Sequence, residues 1–205
     1  MLLLYDSIGP NPRVVRMFAA ERGVALARRT VDLRGGENRR EPYLRINPAG
    51  QLPALALPDG TVITEITAIC EFLDEVASGG PSLIGQDPAE RAQTRMWTRR
   101  IDLNIVEPMS QGYRYSNGLK LFQDRVRCIP QAADDLKRIT QDRLAWLDRL
   151  IAGRPFVCGP RLTLADLLLF AFVDFGIVVG QPPAPSLAAI HAHYKRIRAR
   201  PSASA

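Results

Sequence analysis

The chain has 205 residues, of which 46% are hydrophobic, and a formal net charge of +6 at neutral pH. This length and composition are enough to bury a core and to build two small domains, which excludes an intrinsically disordered protein. The opening MLLLYDS is too short for a secretory signal, and no later stretch reaches the roughly 18 apolar residues of a membrane span. We therefore expect a cytoplasmic protein with no membrane partner.

The cysteines and the basic residues narrow the function classes further. Cys70, Cys128 and Cys158 are odd in number and form no C-x-x-C pair, which argues against a disulfide framework, a zinc site and a dithiol redox centre. We expect free thiols and no metal. The positive charge comes mostly from arginines that are scattered among acidic residues, so no nucleic-acid partner is expected.

The first part of the chain alternates strands and helices. Residues 2 to 5 read as a buried strand, and an apolar helical spacing follows and stops at Gly23. A second strand is expected within residues 24 to 33, and LPALALPDGTVIT predicts a hairpin with a Pro-Asp-Gly turn. A helix comes next, and its apolar face is predicted from residues at helical spacing: Ile66, Ile69, Leu73 and Val76.

From residue 81 onward the strand signals vanish and helical periods take over. A helix begins after Asp87-Pro88, and Pro108 must kink or end it. Residues 131 to 151 predict another amphipathic helix, and residues 163 to 179 are apolar on nearly every side, as expected for the central helix of a helical domain.

Two local signatures make the prediction more specific. In TLAD, Thr163 is placed as an N-cap with Asp166 three residues later, the spacing of a capping box. In INPAGQLPAL, Pro53 stands at the start of a strand, where a cis Leu52–Pro53 bond would turn the backbone of Leu52 outward. The alternative is the commoner trans proline on an edge strand.

Three segments together resemble the cytosolic glutathione transferases, with bacterial theta-, nu- and beta-like members as the nearest patterns. NPAGQLPAL is similar to their N-P-x-G-x-V-P-x-L signature, TEITAICEFLDE to E-S-x-A-I-x-x-Y-L, and RLTLADLLLF to the S/T-x-A-D helix cap. The resemblance implies an α+β/α fold class: a thioredoxin-like N-terminal domain of order βαβαββα over residues 1–79, a linker over 80–87, and an all-α domain over 88–205. It also implies a homodimer, glutathione as co-substrate with no cofactor, and a role in detoxification.

By resemblance, a glutathione site lies on the N-terminal domain. Leu52, presented by cis-Pro53, pairs its backbone with the cysteinyl residue like an added strand. Glu65 accepts from the γ-glutamyl amine, and the N–H groups of Ile66 and Thr67 receive the γ-glutamyl carboxylate at a helix start. The glycyl carboxylate falls to two residues that could equally be solvated loop residues: Asn38 and Gln51.

Position 66 departs from the family pattern, which usually has a hydroxyl residue there. Isoleucine cannot make a side-chain hydrogen bond to the carboxylate, which costs on the order of 1.5 to 3 kcal/mol of binding free energy if nothing replaces it. Thr67 is one replacement; alternatively, Ile66 is a core residue and glutathione binds more weakly. Glu65 also has an alternative role as an acid that the helix dipole favours in the first turn.

The strand-to-helix turn SIGPNPR is where the family activates the glutathione thiol. Gly9 falls where some members carry a hydroxyl, and Asn11 falls where others carry Cys or, in nu-like members, a functional Asn. Our candidates are Asn11 as an amide donor and Ser7 one turn earlier. Both residue types also serve as plain turn and N-cap residues, and for Ser7 we favour that alternative.

A second substrate, either a small electrophile or a disulfide, is expected between the domains. Met109, Tyr113 and Tyr115 would form its apolar wall, although each could instead be a core residue. The function implied is that of an enzyme in which a bound glutathione thiolate attacks an electrophilic carbon or a disulfide. Asn11 favours including disulfide-bond reduction among its activities. The alternative is a non-catalytic binding or regulatory protein on the same fold.

Overall fold

The computed structural model describes residues 1–205, which divide into two units. The N-terminal unit comprises Met1–Gln86 together with Pro201–Ala205, and the helical unit comprises Asp87–Arg200. None of the helices is both long and apolar enough to cross a lipid bilayer.

The N-terminal unit has the element order βαβαββα, as predicted. Its elements are β1 (Leu3–Asp6), α1 (Pro10–Glu21), β2 (Ala27–Thr30), α2 (Tyr43–Ile46), β3 (Ala54–Ala56), β4 (Val62–Thr64) and α3 (Ile66–Val76). A short 3-10 turn, Glu37–Arg39, precedes α2. The thioredoxin-like architecture is therefore confirmed.

The sheet has the strand order β2-β1-β3-β4. β1 pairs with β2 in parallel and with β3 in antiparallel fashion, and β3 pairs with β4 through the predicted hairpin. Because of these directions, β1 and β4 end, and β3 begins, at the same edge of the sheet. The loops at that edge carry most of the residues predicted to bind glutathione.

Helices α1 and α3 bury their apolar faces in the N-terminal unit. Val14, Val15 and Phe18 of α1 are fully buried, and so are Ile69 and Leu73 of α3. Val76 also belongs to α3, as predicted, but it is 48% exposed because it is the last residue of the helix and the final turn lies at the surface.

Most of the segment predicted as a linker, residues 80–87, belongs to the N-terminal unit, which runs to Gln86. The guanidinium of Arg22 donates to the carbonyls of Gly79, Gly80 and Pro81 at 2.7 to 2.9 Å and pairs with Asp74 at 2.8 Å. The same carboxylate accepts from the N–H of Leu83 at 3.0 Å and from the hydroxyl of Ser82. Buried polar groups thus fix this stretch against the N-terminal unit, so it is not a flexible connection.

The last five residues belong to the N-terminal unit, which corrects the predicted boundary at 205. Arg13 of α1 donates to the carbonyl of Ala203 at 2.9 Å, and Ser202 donates to Glu21 at 2.5 Å. Ser202 is buried, although its sequence PSASA resembles a solvated tail. Contacts between residues nearly 200 positions apart carry no local sequence signal.

The helical unit contains six helices. They are α4 (Pro88–Ile101), α5 (Glu107–Arg114), α6 (Leu119–Phe122), α7 (Ala133–Ile151), α8 (Leu164–Val178) and α9 (Ala188–Arg198). A π-helical stretch, Asp102–Val106, joins α4 to α5, so the regular helix ends upstream of Pro108 as predicted. Every residue of α8 from Leu164 to Val173 is buried, as expected for the central helix.

The capping box at the start of α8 is confirmed. The backbone N–H of Thr163 donates to Asp166 at 2.8 Å. Asp166 is fully buried and also accepts from the N–H of Val157 at 2.7 Å and lies 2.9 Å from Nε2 of His193. The carboxylate therefore joins a loop and α9 to α8, a wider role than the local motif predicts.

Candidate functional site

Three segments converge at one edge of the sheet in the N-terminal unit. Tyr5 of β1 pairs with Ala54 of β3, and Ala54 pairs in turn with Thr64 of β4. The turn that follows β1, the Leu52–Pro53 pair that precedes β3 and the Glu65–Thr67 segment that follows β4 must therefore lie side by side. The sheet thus brings the turn after β1 together with residues 52–53 and 65–67, which lie far along the chain from it.

Leu52 presents unpaired backbone at this edge. The Leu52–Pro53 bond is cis, as the family resemblance implied; a second cis bond, Glu41–Pro42, was not expected. The pairing of β3 begins at Ala54, and neither the N–H nor the C=O of Leu52 has a hydrogen-bond partner in the protein. Half-buried backbone groups of this kind normally find partners, so an extended peptide could pair with them.

The loop before Leu52 is held by side chains. The carbonyl of Gln51 accepts from the Tyr43 hydroxyl at 2.7 Å and from Nδ2 of Asn47 at 2.9 Å. Nδ2 of Asn38 donates to the carbonyl of Gly50 at 2.6 Å. Asn38 is buried and supports the loop, which speaks against the predicted role as a direct carboxylate donor, whereas the Gln51 side chain is exposed and forms no bond.

Glu65 combines a strained backbone with a free carboxylate. It has φ 65° and ψ 127°, and it is the only non-glycine residue in the chain with a positive φ. Such conformations cost on the order of 1 to 3 kcal/mol and concentrate at functional sites. The side chain is exposed and forms no hydrogen bond or ion pair within the protein. The fold therefore fixes the backbone of Glu65 and leaves its carboxylate without a partner in the protein.

The start of α3 offers free backbone donors. No side chain caps this helix, so the N–H groups of Ile66 and Thr67 are unpaired and form part of the positive end of the helix dipole. Ile66 is half-buried and Thr67 is exposed, which leaves the Thr67 hydroxyl accessible. The first turn of α3 can accept an anion despite the isoleucine.

The turn at the start of α1 exposes one asparagine between two prolines. Because Pro10 and Pro12 have no N–H, Asn11 supplies the only backbone donor among the first three residues of the helix. Its half-buried side chain has no partner within the protein. Gly9 has φ 114° and ψ 170°, so a serine there would be strained even though space is open around it.

The other polar residues of this turn are engaged. The Ser7 hydroxyl donates to the carbonyl of Val31 at 2.7 Å and links the ends of β1 and β2. Its proton is therefore directed away from a ligand, which supports a structural role. Arg16 pairs with Asp6 at 2.5 Å, so the cation neutralises a carboxylate at the edge of the site.

The residues predicted to line a second-substrate pocket lie in the helical unit in different environments. Met109 is fully buried, and its side chain fills the space that a Cβ at Gly176 of α8 would occupy, which makes it a core residue and speaks against a pocket-wall role. The ring of Tyr113 packs edge-on against Phe122 and Phe175, with centroids 6.1 and 5.3 Å away. Tyr115 is half-buried, and the hydroxyls of both tyrosines have no partner.

The thiols and metal-binding residue types form no second centre. All three cysteines are free; burial raises the pKa values of the Cys70 and Cys158 thiols, so these groups are poor nucleophiles. No group of three or more His, Cys, Asp or Glu side chains is arranged to hold a metal ion.

The sequence analysis did not identify Tyr43 and Asn47 as contributors to this site. Tyr43 is 2% exposed, and burial raises its pKa to about 12. One general signal was available, since a buried tyrosine hydroxyl needs a partner. The identity of that partner, a carbonyl eight residues later, depends on how the loop folds back.

Comparisons with known proteins agree with this architecture. Residues 8–76 match the model described as "Glutathione S-transferase, N-terminal domain", and residues 128–205 match "Glutathione S-transferase, C-terminal domain". The chain is 31% identical to "Glutathione S-transferase 2" of Saccharomyces cerevisiae, with 98% of this chain and 87% of that protein covered. It is 39% identical to "Protein LigF" of Sphingobium sp., with 98% and 91% covered.

A solved structure gives the same result. The crystal structure of a glutathione S-transferase domain-containing protein from Marinobacter aquaeolei is 33% identical to this chain, with a TM-score of 0.91 and 98% of each chain covered. Similarity in sequence and in fold thus extends over both units. The chain belongs to the glutathione S-transferase family.

Proposed function

We propose that the chain binds glutathione at the described edge of the N-terminal unit and uses its thiolate as a nucleophile. The observation that carries the proposal is the combination of unpaired backbone at Leu52 with a strained, unused carboxylate at Glu65. Glutathione needs a backbone partner for its cysteinyl residue and an acceptor for its amine. These two features supply both.

The two ends of the peptide have separate partners in this proposal. The ammonium of the γ-glutamyl group binds Glu65, and its carboxylate binds the free N–H groups at the start of α3, where the helix dipole favours an anion. The Thr67 hydroxyl replaces the hydroxyl that Ile66 lacks. Gln51 is the proposed donor for the glycyl carboxylate, because its side chain is exposed and unpaired.

Thiolate activation is assigned to the turn before α1. A free thiol has a pKa of about 8.5, and lowering it by two units requires about 2.7 kcal/mol of thiolate stabilisation. The side-chain amide and the backbone N–H of Asn11 are the available hydrogen-bond donors, and the positive end of the α1 dipole adds to the stabilisation of the thiolate. The pairing of Arg16 with Asp6 helps, because an unpaired carboxylate here would raise the thiol pKa.

The second substrate is proposed to be an electrophilic carbon compound. The Sphingobium relative is called "Beta-etherase LigF", a name that denotes action on an ether. Attack of the thiolate on a carbon would release the group attached to that carbon, and attack on a disulfide sulfur would release a thiolate. We retain disulfide reduction as the second activity to be tested, because an asparagine stands at the position that would activate the thiolate.

Three measurements test the proposal. Calorimetry should detect glutathione binding, and conjugation and disulfide-exchange assays should detect turnover. Lack of glutathione binding would refute the proposal. Binding without turnover in either assay would support the non-catalytic alternative, in which the same fold serves as a binding or regulatory protein. Sedimentation would test the proposed homodimer.

The contribution of Asn11 has a separate test. Replacing Asn11 with Ala should raise the pKa of bound glutathione, measured from the ultraviolet absorbance of the thiolate, and should lower activity at neutral pH. Binding of S-methylglutathione, which has no ionisable thiol, should stay nearly the same. Ser7→Ala is the control, since the Ser7 hydroxyl donates to Val31. A titration that moves only in the control would reassign the role to Ser7.

A further inference from the structure

The carbonyl of Gln51 is held by two donors. The Tyr43 hydroxyl lies at 2.7 Å and Nδ2 of Asn47 at 2.9 Å, and both residues come from the α2 region. A carbonyl in a surface loop is normally satisfied by water, so two side-chain donors on one oxygen restrict its direction. The Asn47 side chain is fixed as well, because its Oδ1 accepts from the N–H of Ala49 at 3.1 Å.

The direction of this carbonyl determines the direction of the next N–H. The Gln51–Leu52 peptide is trans, and a trans peptide is planar with its C=O and N–H on opposite sides. Two donors that fix the Gln51 oxygen therefore also fix where the N–H of Leu52 points. This N–H has no partner in the protein.

The Tyr43 hydroxyl is suited to this role. Tyr43 is 2% exposed, and burial raises its pKa from about 10 to about 12, so the hydroxyl keeps its proton over the physiological range. Its ring packs edge-on against Tyr5, with ring centroids 5.9 Å apart. A rigid ring in the core thus holds a donor against a loop at the surface.

We propose that Tyr43 and Asn47 are positioning residues for the ligand: by holding the Gln51 carbonyl, they aim the N–H of Leu52 at the central residue of a bound γ-glutamyl peptide. This inference rests on the proposed function and deepens it. The two residues do not touch the ligand. They increase the fraction of molecules whose Leu52 backbone is ready to pair, and apparent affinity is proportional to that fraction.

The closing experiment compares Tyr43→Phe with Tyr5→Phe. Both substitutions remove one hydroxyl from the same aromatic pair, but only the Tyr43 hydroxyl has a partner. Calorimetry with glutathione and with S-methylglutathione should give affinities about three- to tenfold weaker for Tyr43→Phe and unchanged for Tyr5→Phe. The factor should be the same for both ligands, and the thiolate pKa should not move, because the effect acts through the peptide backbone.

A second variant covers the case in which Tyr43→Phe does not fold. Asn47→Asp keeps the acceptor for Ala49 but replaces the donor to Gln51 with a carboxylate, so the affinity for both ligands should fall at least as far. If the wild type binds glutathione and the folded variants bind equally well, the positioning role is refuted and the proposed function stands. If the wild type does not bind glutathione, the proposed function itself is refuted, and the positioning role with it.

Discussion

Replacing Glu65 with glycine should stabilise the protein and weaken glutathione binding at the same time. At φ 65° and ψ 127° the glutamate backbone is strained by about 1 to 3 kcal/mol, and glycine relieves that strain. Glycine also increases the entropy of the unfolded chain, which costs about 0.4 to 1 kcal/mol. The net gain should be roughly 0.5 to 2 kcal/mol, or a few degrees in Tm for a chain of this size.

The loss in binding follows from the missing carboxylate. A hydrogen bond to a charged group contributes about 1.5 to 3 kcal/mol, so the affinity for glutathione should fall roughly 10- to 150-fold. Thermal unfolding gives the first quantity and calorimetry the second. Glu65→Gln should show the weaker binding with an almost unchanged Tm, because it removes the charge and keeps the strain.

Glu75→Gln is the matched control for charge. It removes an exposed carboxylate near the other end of α3, and it should change neither quantity by much. A lower Tm for Glu65→Gly would show that the backbone at this position is not strained. Binding as tight as the wild type in both Glu65 variants would show that another group accepts the γ-glutamyl amine.

Three other substitutions test the framework around the site. Gly9→Ala should lower the free energy of unfolding by about 1 to 3 kcal/mol, because alanine is strained at the positive φ of this position. In the control, Gly79→Ala, the new methyl group also meets open space but φ is ordinary, so little effect is expected. Equal denaturant midpoints for the two variants would contradict the argument from backbone strain. Arg22→Leu should lower the free energy of unfolding by about 3 to 5 kcal/mol, because the Asp74 carboxylate stays buried without its cation. Adding Asp74→Asn should restore part of this loss, which a double-mutant cycle of denaturant unfolding measures. The folded-state pKa of Tyr43 lies above its ordinary value, so the stability that the protonated hydroxyl contributes is complete below pH 10 and is lost as the pH rises toward 12. Tyr43→Phe should therefore lose less stability than the wild type between these pH values, as measured by unfolding titrations. Identical pH profiles for the two proteins would refute this prediction.

Local patterns were enough to predict much of the fold. The order of strands and helices in the N-terminal unit, the hairpin at Pro-Asp-Gly and the capping box at Thr163 all depend on residues close together in sequence. Turn chemistry and hydrophobic spacing act over the same short range, so such features can be predicted without tertiary contacts. Val76 shows the limit: it lies on the predicted apolar face of the helix but is 48% exposed, because a helical pattern does not say where the neighbouring elements stop.

The family signatures named candidate residues at this edge of the sheet, but the bonding partners of those residues could be read only from the tertiary structure. Leu52 and Glu65 were candidates from their motifs, whereas the strain at Glu65 could be recognised only from its backbone angles. Asn38 was a candidate ligand donor, and its buried bond to Gly50 gives it a supporting role. A side chain of that type fits both roles until its surroundings are known.

Amino-acid order alone was sufficient to predict the elements and their periodicity, and the family resemblance named the residues that we propose for glutathione recognition. The tertiary structure decided three sets of hydrogen bonds: those of Arg22 to residues 79–81, that of Ser202 to Glu21 of α1, and those of the two donors to the Gln51 carbonyl. Each of these contacts satisfies a buried or loop polar group through a partner that is distant in sequence or reached by a loop that folds back. Such partners are selected by the packing of the whole unit, because a buried polar group bonds to whichever complementary group the fold brings within reach.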